Sequence, residues 1–242
     1  MKISRLRAVV KRVLLQLKHD PRTLALIFLS PILLLTILKF VYWSNPHLFQ
    51  QVAGSMLAVF PMLMMFLITS VATLRERSSG TLERLMISPL GKVEFILGYA
   101  EAFVLVSLLQ AIVVSTYATW ALGLKTQGSQ LSVIFVAMLS STIGLAIGLA
   151  ISTFAHTEFQ AIQFMPAVLL PQLLLSGLLV PRQSMPRLLD DISNILPLSY
   201  AIDAIKKVIS GQGSIVDDSL LILMFLILIL VAGSLTLKRQ TK

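Results

Sequence analysis

Six runs of apolar residues, separated by short polar stretches, dominate the chain: Thr23–Val41, Ala53–Thr73, Val93–Leu122, Leu131–Ala155, Phe159–Val180 and Ser219–Leu237. Each is long enough to cross a bilayer core of about 30 Å, which takes about 20 helical residues. Inside lipid the backbone must satisfy its own hydrogen bonds, so a crossing is either a helix or a strand of a closed barrel. None of the runs alternates apolar and polar positions as a barrel strand of about ten residues does. The pattern predicts an all-α, polytopic membrane protein whose six transmembrane helices occupy residues 23–237.

Two further segments are amphipathic. Ile3, Leu6, Val10, Val13, Leu14 and Leu17 recur at three- and four-residue steps, with basic residues on the remaining faces. That spacing predicts an interfacial helix over residues 1–20, resting on membrane lipid with anionic headgroups. Asp20-Pro21 closes it and opens the first span, since proline is tolerated in a first helical turn. The run that follows is longer than a leader's apolar core and no small-residue cleavage pattern comes after it, so an uncleaved span is expected. Residues 181–218 begin "PRQSMPRLLDDISNILPLSYAIDAIKKVISGQG", too polar to span and too apolar for a solvated loop. They predict two short helices, one carrying Leu188, Leu189, Ile192, Ile195 and Leu196, the other Tyr200 to Ile209, with Pro197 between them; these read as re-entrant helices dipping into the outer leaflet or as a small external cap.

Composition agrees with this class and removes others. The 242 residues are 56% hydrophobic and 13% charged, outside the usual range of soluble domains. The net charge of +9 raises the question of nucleic acid, but basic residues of a membrane protein collect in its cytoplasmic segments. With six spans, 14 of the 20 lysines and arginines fall on the side of the two termini and 6 on the other. Both termini, including the tail 238–242, are therefore expected in the cytoplasm of a cell-membrane protein, with no nucleic-acid partner. Tyr42, Trp43 and Trp120 then fall at the outer interface, where aromatic belts lie. The absence of cysteine excludes disulfides and thiolate chemistry, and His19, His47 and His156 are too scattered for a metal site.

Polar and small residues inside the runs supply the candidates within the membrane. An acidic group at the centre of a span costs about 2.5–3.5 kcal/mol on insertion scales, so such positions usually have a use. Glu94 and Glu101 lie seven apart on nearly one face of the third span. They read either as hydrated acids paired with Arg or Lys at the inner mouth or as groups serving coupling or a cationic substrate's path. In the fifth span, Gln163 and Gln172 accompany Pro166 and Pro171; they either line the path with Glu101 or make ordinary interhelical hydrogen bonds. Ser140, Gly144, Gly148 and Ser152 repeat every four residues in the fourth span, a stripe that lets helix backbones approach. It reads as packing within the bundle or as a dimer seam. Met62, Met64 and Met65 read as packing, and His156 with Glu158 as a solvated turn or a contact to a partner.

The loop 74–92, "LRERSSGTLERLMISPLGK", is the most specific polar stretch. Ser79 or Gly80 can start a helix and Pro89 ends it, leaving about eight residues with Leu82, Leu85 and Met86 on one face. A helix this short is marginal alone in water and needs a surface, either the membrane interface or a partner protein. "LRERSSGTLERLMISPLGKVEFILGY" resembles the cytoplasmic loop of ABC type-2 exporter permeases, close to their drug- and antibiotic-resistance branch. "HDPRTLALIFLSPILLL" and "LPLSYAIDAIKKVISGQG" are similar to that family's entry to the first span and its segment before the last.

The resemblance implies that the loop is a coupling helix seated in a separate ATPase subunit. It carries over Arg75, Glu76, Gly80, Thr81, Leu82, Glu83, Arg84, Leu85 and Pro89, with the N-terminal helix as a second contact. It also implies a dimer with a second permease copy or a related chain. ATP and Mg would then be bound by the ATPase and no cofactor by this chain, which contains no G-x-x-x-x-G-K-[ST] phosphate loop. The expected function is the transmembrane subunit of an exporter of lipophilic, drug-like molecules rather than an enzyme. Export of a glycan or glycolipid, or ATP-independent secondary transport, are the alternatives. A secondary transporter would suit paired charges at mid-membrane and internal repeats, neither of which is evident.

Overall fold

The computed structural model describes residues 3–78 and 92–236, the side chains at 3, 77, 92–96 and 233–236 excepted. The elements are α1 (Ile3–Lys18), α2 (Pro21–Val41), α3 (Pro46–Ser78), α4 (Lys92–Trp120), α5 (Gln130–Ser152), α6 (Glu158–Leu175), a 3-10 turn (Arg182–Ser184), α7 (Arg187–Ser193), α8 (Pro197–Ser210) and α9 (Val216–Thr236). By length and composition, α2 to α6 are each able to cross a membrane. The sixth long helix is α9, 21 residues that are uncharged after Asp217 and Asp218 in its first turn. The six long helices define a termini end, where α1 lies, and a far end, where α7 and α8 lie.

Local chemistry sets the boundaries. The Asp20 carboxylate accepts hydrogen bonds from the Thr23 amide and hydroxyl, at 3.2 and 2.6 Å, and Pro21 occupies the first turn of α2. These bonds hold the Asp20 carboxyl below the usual aspartate range. Ser129 and Thr157 cap α5 and α6 in the same way. Pro197 starts α8 instead of separating two helices, because its missing N–H falls where a helix has no internal acceptor for it.

The bundle is built around the α3–α5 seam. Gly144 and Gly148 put α5 directly on the α3 backbone: a Cβ on Gly144 would strike the Met62 carbonyl, and one on Gly148 would come within 2.6 Å of the Phe66 carbonyl. Ser140 donates to the Ala58 carbonyl at 2.7 Å. That acceptor lies next to the Leu57 carbonyl, which Pro61 leaves without an amide partner in the helical ladder. Ser152 continues the buried stripe and bonds back to the Leu149 carbonyl. In α2 the carbonyl orphaned by a proline is itself repaired, from α4. Pro31 cannot donate to the Ile27 carbonyl, and the buried Gln110 side chain does so at 2.8 Å. Met62, Met64 and Met65 are all buried in the core.

Around this seam, α2 and α6 are thinly covered, and each leaves a row of large apolar side chains exposed, such as Leu26, Leu29 and Leu33 on α2 and Phe159, Ile162 and Leu170 on α6. Trp43 and Trp120 stand exposed together at the far end. The apolar stripe of α1, expected to lie on lipid, is occupied by protein instead. Val9, Val10 and Val13 are buried in a cluster with Tyr99, Ala102 and Phe103 of α4. Gly98 makes room for it, since a Cβ there would approach Val9 Cβ to 2.7 Å.

Candidate functional site

The end of α3 is where the expected coupling residues enter the structure. Gly80, Thr81, Leu82, Glu83, Arg84, Leu85 and Pro89 lie outside the described residues. Arg75 and Glu76 form the last full turn of α3 before that loop, and they face different neighbours. Glu76 points inward, and its side chain is only 10% exposed. Arg12 of α1 donates to both its oxygens at 3.1 and 3.0 Å, and Gln16, one turn further along α1, donates at 3.0 Å. The buried phenol of Tyr99, at the start of α4, interacts with the same carboxylate. Arg75 reaches the other way, to the first residue of α6. Its Nε and Nη2 donate to the two oxygens of Glu158 at 2.7 and 3.0 Å.

The turn before α6 is exposed, as expected, and Glu158 at its end is also paired with Arg75. His156 next to it is exposed, its amide donating to Gln160 at 2.8 Å. Sequence reading missed Arg12, Gln16 and Tyr99. Their only local signal is the four-residue spacing of Arg12 and Gln16, which sets both beside the apolar stripe of α1.

A cleft of about 420 Å³ opens beside this junction. Leu26, Leu67, Phe103 and Ile162 make its apolar wall, and Asp20, Arg75, Glu76 and Glu158 lie toward the termini end. Its lining includes residues of α2 and α6, both of which are thinly covered. The candidate path residues are not assembled around it. Glu101 is exposed on α4 and Gln163 is exposed on α6. Gln172 is buried, donates to the Val168 carbonyl of its own helix at 3.3 Å, and is joined by no hydrogen bond to the other two. The side chain of Glu94 lies outside the described residues. Among the described residues no group of three metal-ligating side chains is gathered.

The far end is tied more densely. Arg182 donates to Asp203 at 2.7 Å and to Asn194, and lies over the Tyr200 ring at 5.7 Å. Lys207 donates to Asp218 at 2.6 Å. Lys206 donates to the Gly177 carbonyl at 2.6 Å, and burial pulls its ammonium below the usual lysine range, against the opposing pull of Asp203. Gln50 clasps the 121–129 connection, donating to Gly123 O at 3.0 Å and accepting from Lys125 N at 2.8 Å. The amides of Gln127 and Gly128 bond the last carbonyls of α8. In the segment expected as re-entrant, the apolar face of α8, including Leu198, Ile202 and Ile205, is buried against the bundle, so that the segment caps its far end.

Residues 4–209 match the family model described as ABC-2 type transporter. The chain belongs to that family. This ABC-2 permease is 30% identical over 175 residues to the probable multidrug ABC transporter permease YbhR of Escherichia coli, a match covering 72% of this chain and 48% of YbhR. It is 27% identical over 170 residues to the probable multidrug ABC transporter permease YbhS of the same organism, covering 69% and 45% of the two chains. ABC transporter G family member 20 of Dictyostelium discoideum is 29% identical over 147 residues, covering 60% of this permease and 20% of that protein. This permease spans about half the length of YbhR and YbhS.

Proposed function

We propose that this ABC-2 permease is the transmembrane subunit of an ATP-driven exporter, and that a separate ATP-binding subunit engages its loop 79–91 on the cytoplasmic side. The observation that carries the reading is the continuity of α3. It is one 33-residue helix from the far end to the charged turn that roots the loop, and its middle forms the tightest seam of the bundle. A push on the loop therefore reaches the centre of the membrane without crossing a joint. Both termini are cytoplasmic in this reading, which the 14-to-6 distribution of basic residues supports. Two copies, or this chain and a related one, would enclose the path, and rigid-body motion of helices against each other would alternate its access.

The cleft between α2 and α6 has an apolar wall and a charged rim, which suits an amphipathic substrate entering from the inner leaflet. The multidrug names of YbhR and YbhS support the same substrate class. ATP and Mg belong to the partner in this scheme.

The test is purification of the tagged chain from its own host in mild detergent, with mass spectrometry of what accompanies it. An ATP-binding subunit in near-equal amount, lost from a Glu83→Lys, Arg84→Glu variant, is the expected result. A wild-type chain that brings no ATPase, even with ATP analogues present, would remove the reading in favour of a secondary transporter.

A further inference from the structure

We infer that the last turn of α3 is a two-way transmission junction, in which Arg75 with Glu158 and Glu76 with Arg12 are positioning residues that carry displacement of the loop to α6 and to α1. The inference rests on the coupling reading of the loop given above and assigns the residues that pass the motion on.

Three observations carry it. First, the two pairs use consecutive residues, Arg75 and Glu76, at the point where α3 enters the loop. Arg75 meets Glu158 through two nitrogens, a parallel pair of N–H···O bonds that fixes orientation as well as distance, while Glu76 is held by Arg12 Nη2 on both oxygens and by Gln16 beside it. Second, α1 holds both roots of the loop. Arg12 and Gln16 grip the end of α3, while Val9 sits on Gly98 near the start of α4. The two roots therefore move with α1. Third, α6 meets α3 at this end through one small apolar contact and one ion pair: Ala161 is buried with Leu74 and Ala155, Phe159 and Ile162 are exposed, and Glu158 binds Arg75. The ion pair is the directional part of that attachment, since apolar burial is non-directional.

The pair is also placed to be decisive without being a major stabilising element. Arg75 and Glu158 are 58% and 46% exposed, a setting in which an ion pair adds little to stability. Its removal is expected to leave the fold and the apolar contact of Leu74 with Ala161 intact while releasing the orientation of the α6 start.

The chain's lack of cysteine makes the test direct. Nitroxide labels go on Phe159→Cys, at the start of α6, and on Leu131→Cys, exposed at the far end of α5, in the permease co-purified with its ATPase. Pulsed electron resonance then gives the distance distribution with and without ATP and vanadate. The expected result is a nucleotide-dependent shift in the otherwise wild-type chain, its loss in Glu158→Gln with the same amount of ATPase bound, and its return in the swapped pair Arg75→Glu, Glu158→Arg. A label at Leu15→Cys on α1 with the partner substitution Glu76→Gln, and the swap Arg12→Glu, Glu76→Arg, tests the second arm.

A shift that survives Glu158→Gln would overturn the α6 arm, because a merely structural contact predicts that survival. Loss that the swap fails to restore, with the ATPase still bound, also overturns it. Failure of the wild-type chain to bring an ATPase is seen at the purification step and removes the coupling reading itself. The two failures are thereby told apart.

Discussion

The two ends of the bundle use their charges in opposite ways. At the far end, Arg182 is only 16% exposed and serves Asp203, Asn194 and the Tyr200 ring at once, while Gln50 and the α8 carbonyls close the neighbouring loop. At the termini end the polar ties to α3 are few, Arg12 and Gln16 of α1 on Glu76 and Glu158 of α6 on Arg75, and the second of these stands half in solvent. Many interlocking polar contacts make one end a fixed cap. Two discrete contacts make the other end a set of joints. The difference teaches where a bundle of this kind can move and which helices the motion would reach.

The largest expected effect tests the fixed end. Arg182→Ala leaves Asp203 without its partner in a half-buried setting and is expected to cost about 3 kcal/mol. At roughly 2–4 °C per kcal/mol for a chain of this size, the melting midpoint in detergent should fall by roughly 6–12 °C. A fall of only a degree or two would mean that the cap is not held by this hub. Glu76→Ala at the moving end comes next, expected at about 2 kcal/mol because Arg12 and Gln16 lose a charged acceptor. Limited proteolysis should then cut α1 before the bundle melts; if α1 stays protected, its apolar seat on Gly98 suffices alone.

Asp20→Ala, which removes the cap of α2, is expected to cost about 1 kcal/mol. The sign of its pH dependence follows from the depressed carboxyl. The contribution is present above the unfolded aspartate value of about 3.9 and is lost as pH falls through the lower folded value. Melting curves of wild type and variant should therefore converge below that window; curves that stay parallel at low pH would show that the cap acts without its charge. The smallest effect is Arg75→Ala, expected at no more than about 1 kcal/mol in thermal melting. A loss of several kcal/mol there would place Arg75 among the structural contacts and blur the distinction between the two ends.

Much of this architecture was legible because the bilayer writes long, uninterrupted signals. Six apolar runs, the amphipathic period of α1 and the small-residue stripe from Ser140 to Ser152 all depend on neighbours within a few turns. The junction was not legible for the opposite reason. Arg12 and Glu76 lie 64 residues apart and Arg75 and Glu158 lie 83 apart. No local pattern announces such pairs, so Glu158 read as a turn residue. Gln110 escaped notice because its use depends on a proline in another helix. The α1 stripe was readable as apolar, but the pattern could not say whether lipid or α4 would cover it. Pro197 reads as a break in the sequence because proline is equally at home before a helix and in its first turn.

The length of α3 has a mechanical consequence. Its 33 residues span about 50 Å, well beyond a bilayer core of about 30 Å, and Pro61 sits near the middle. The seam holds α3 on both sides of Pro61, from Ala58 to Ser70, so the free arm is the short stretch from Ser70 to the charged turn. Arg75 lies about 8 Å beyond Ser70 along the axis, so a tilt of about 15° there swings the Arg75 turn through roughly 2 Å. A short arm on a fixed seam thus confines the stroke to about a hydrogen bond's working range at the charged turn.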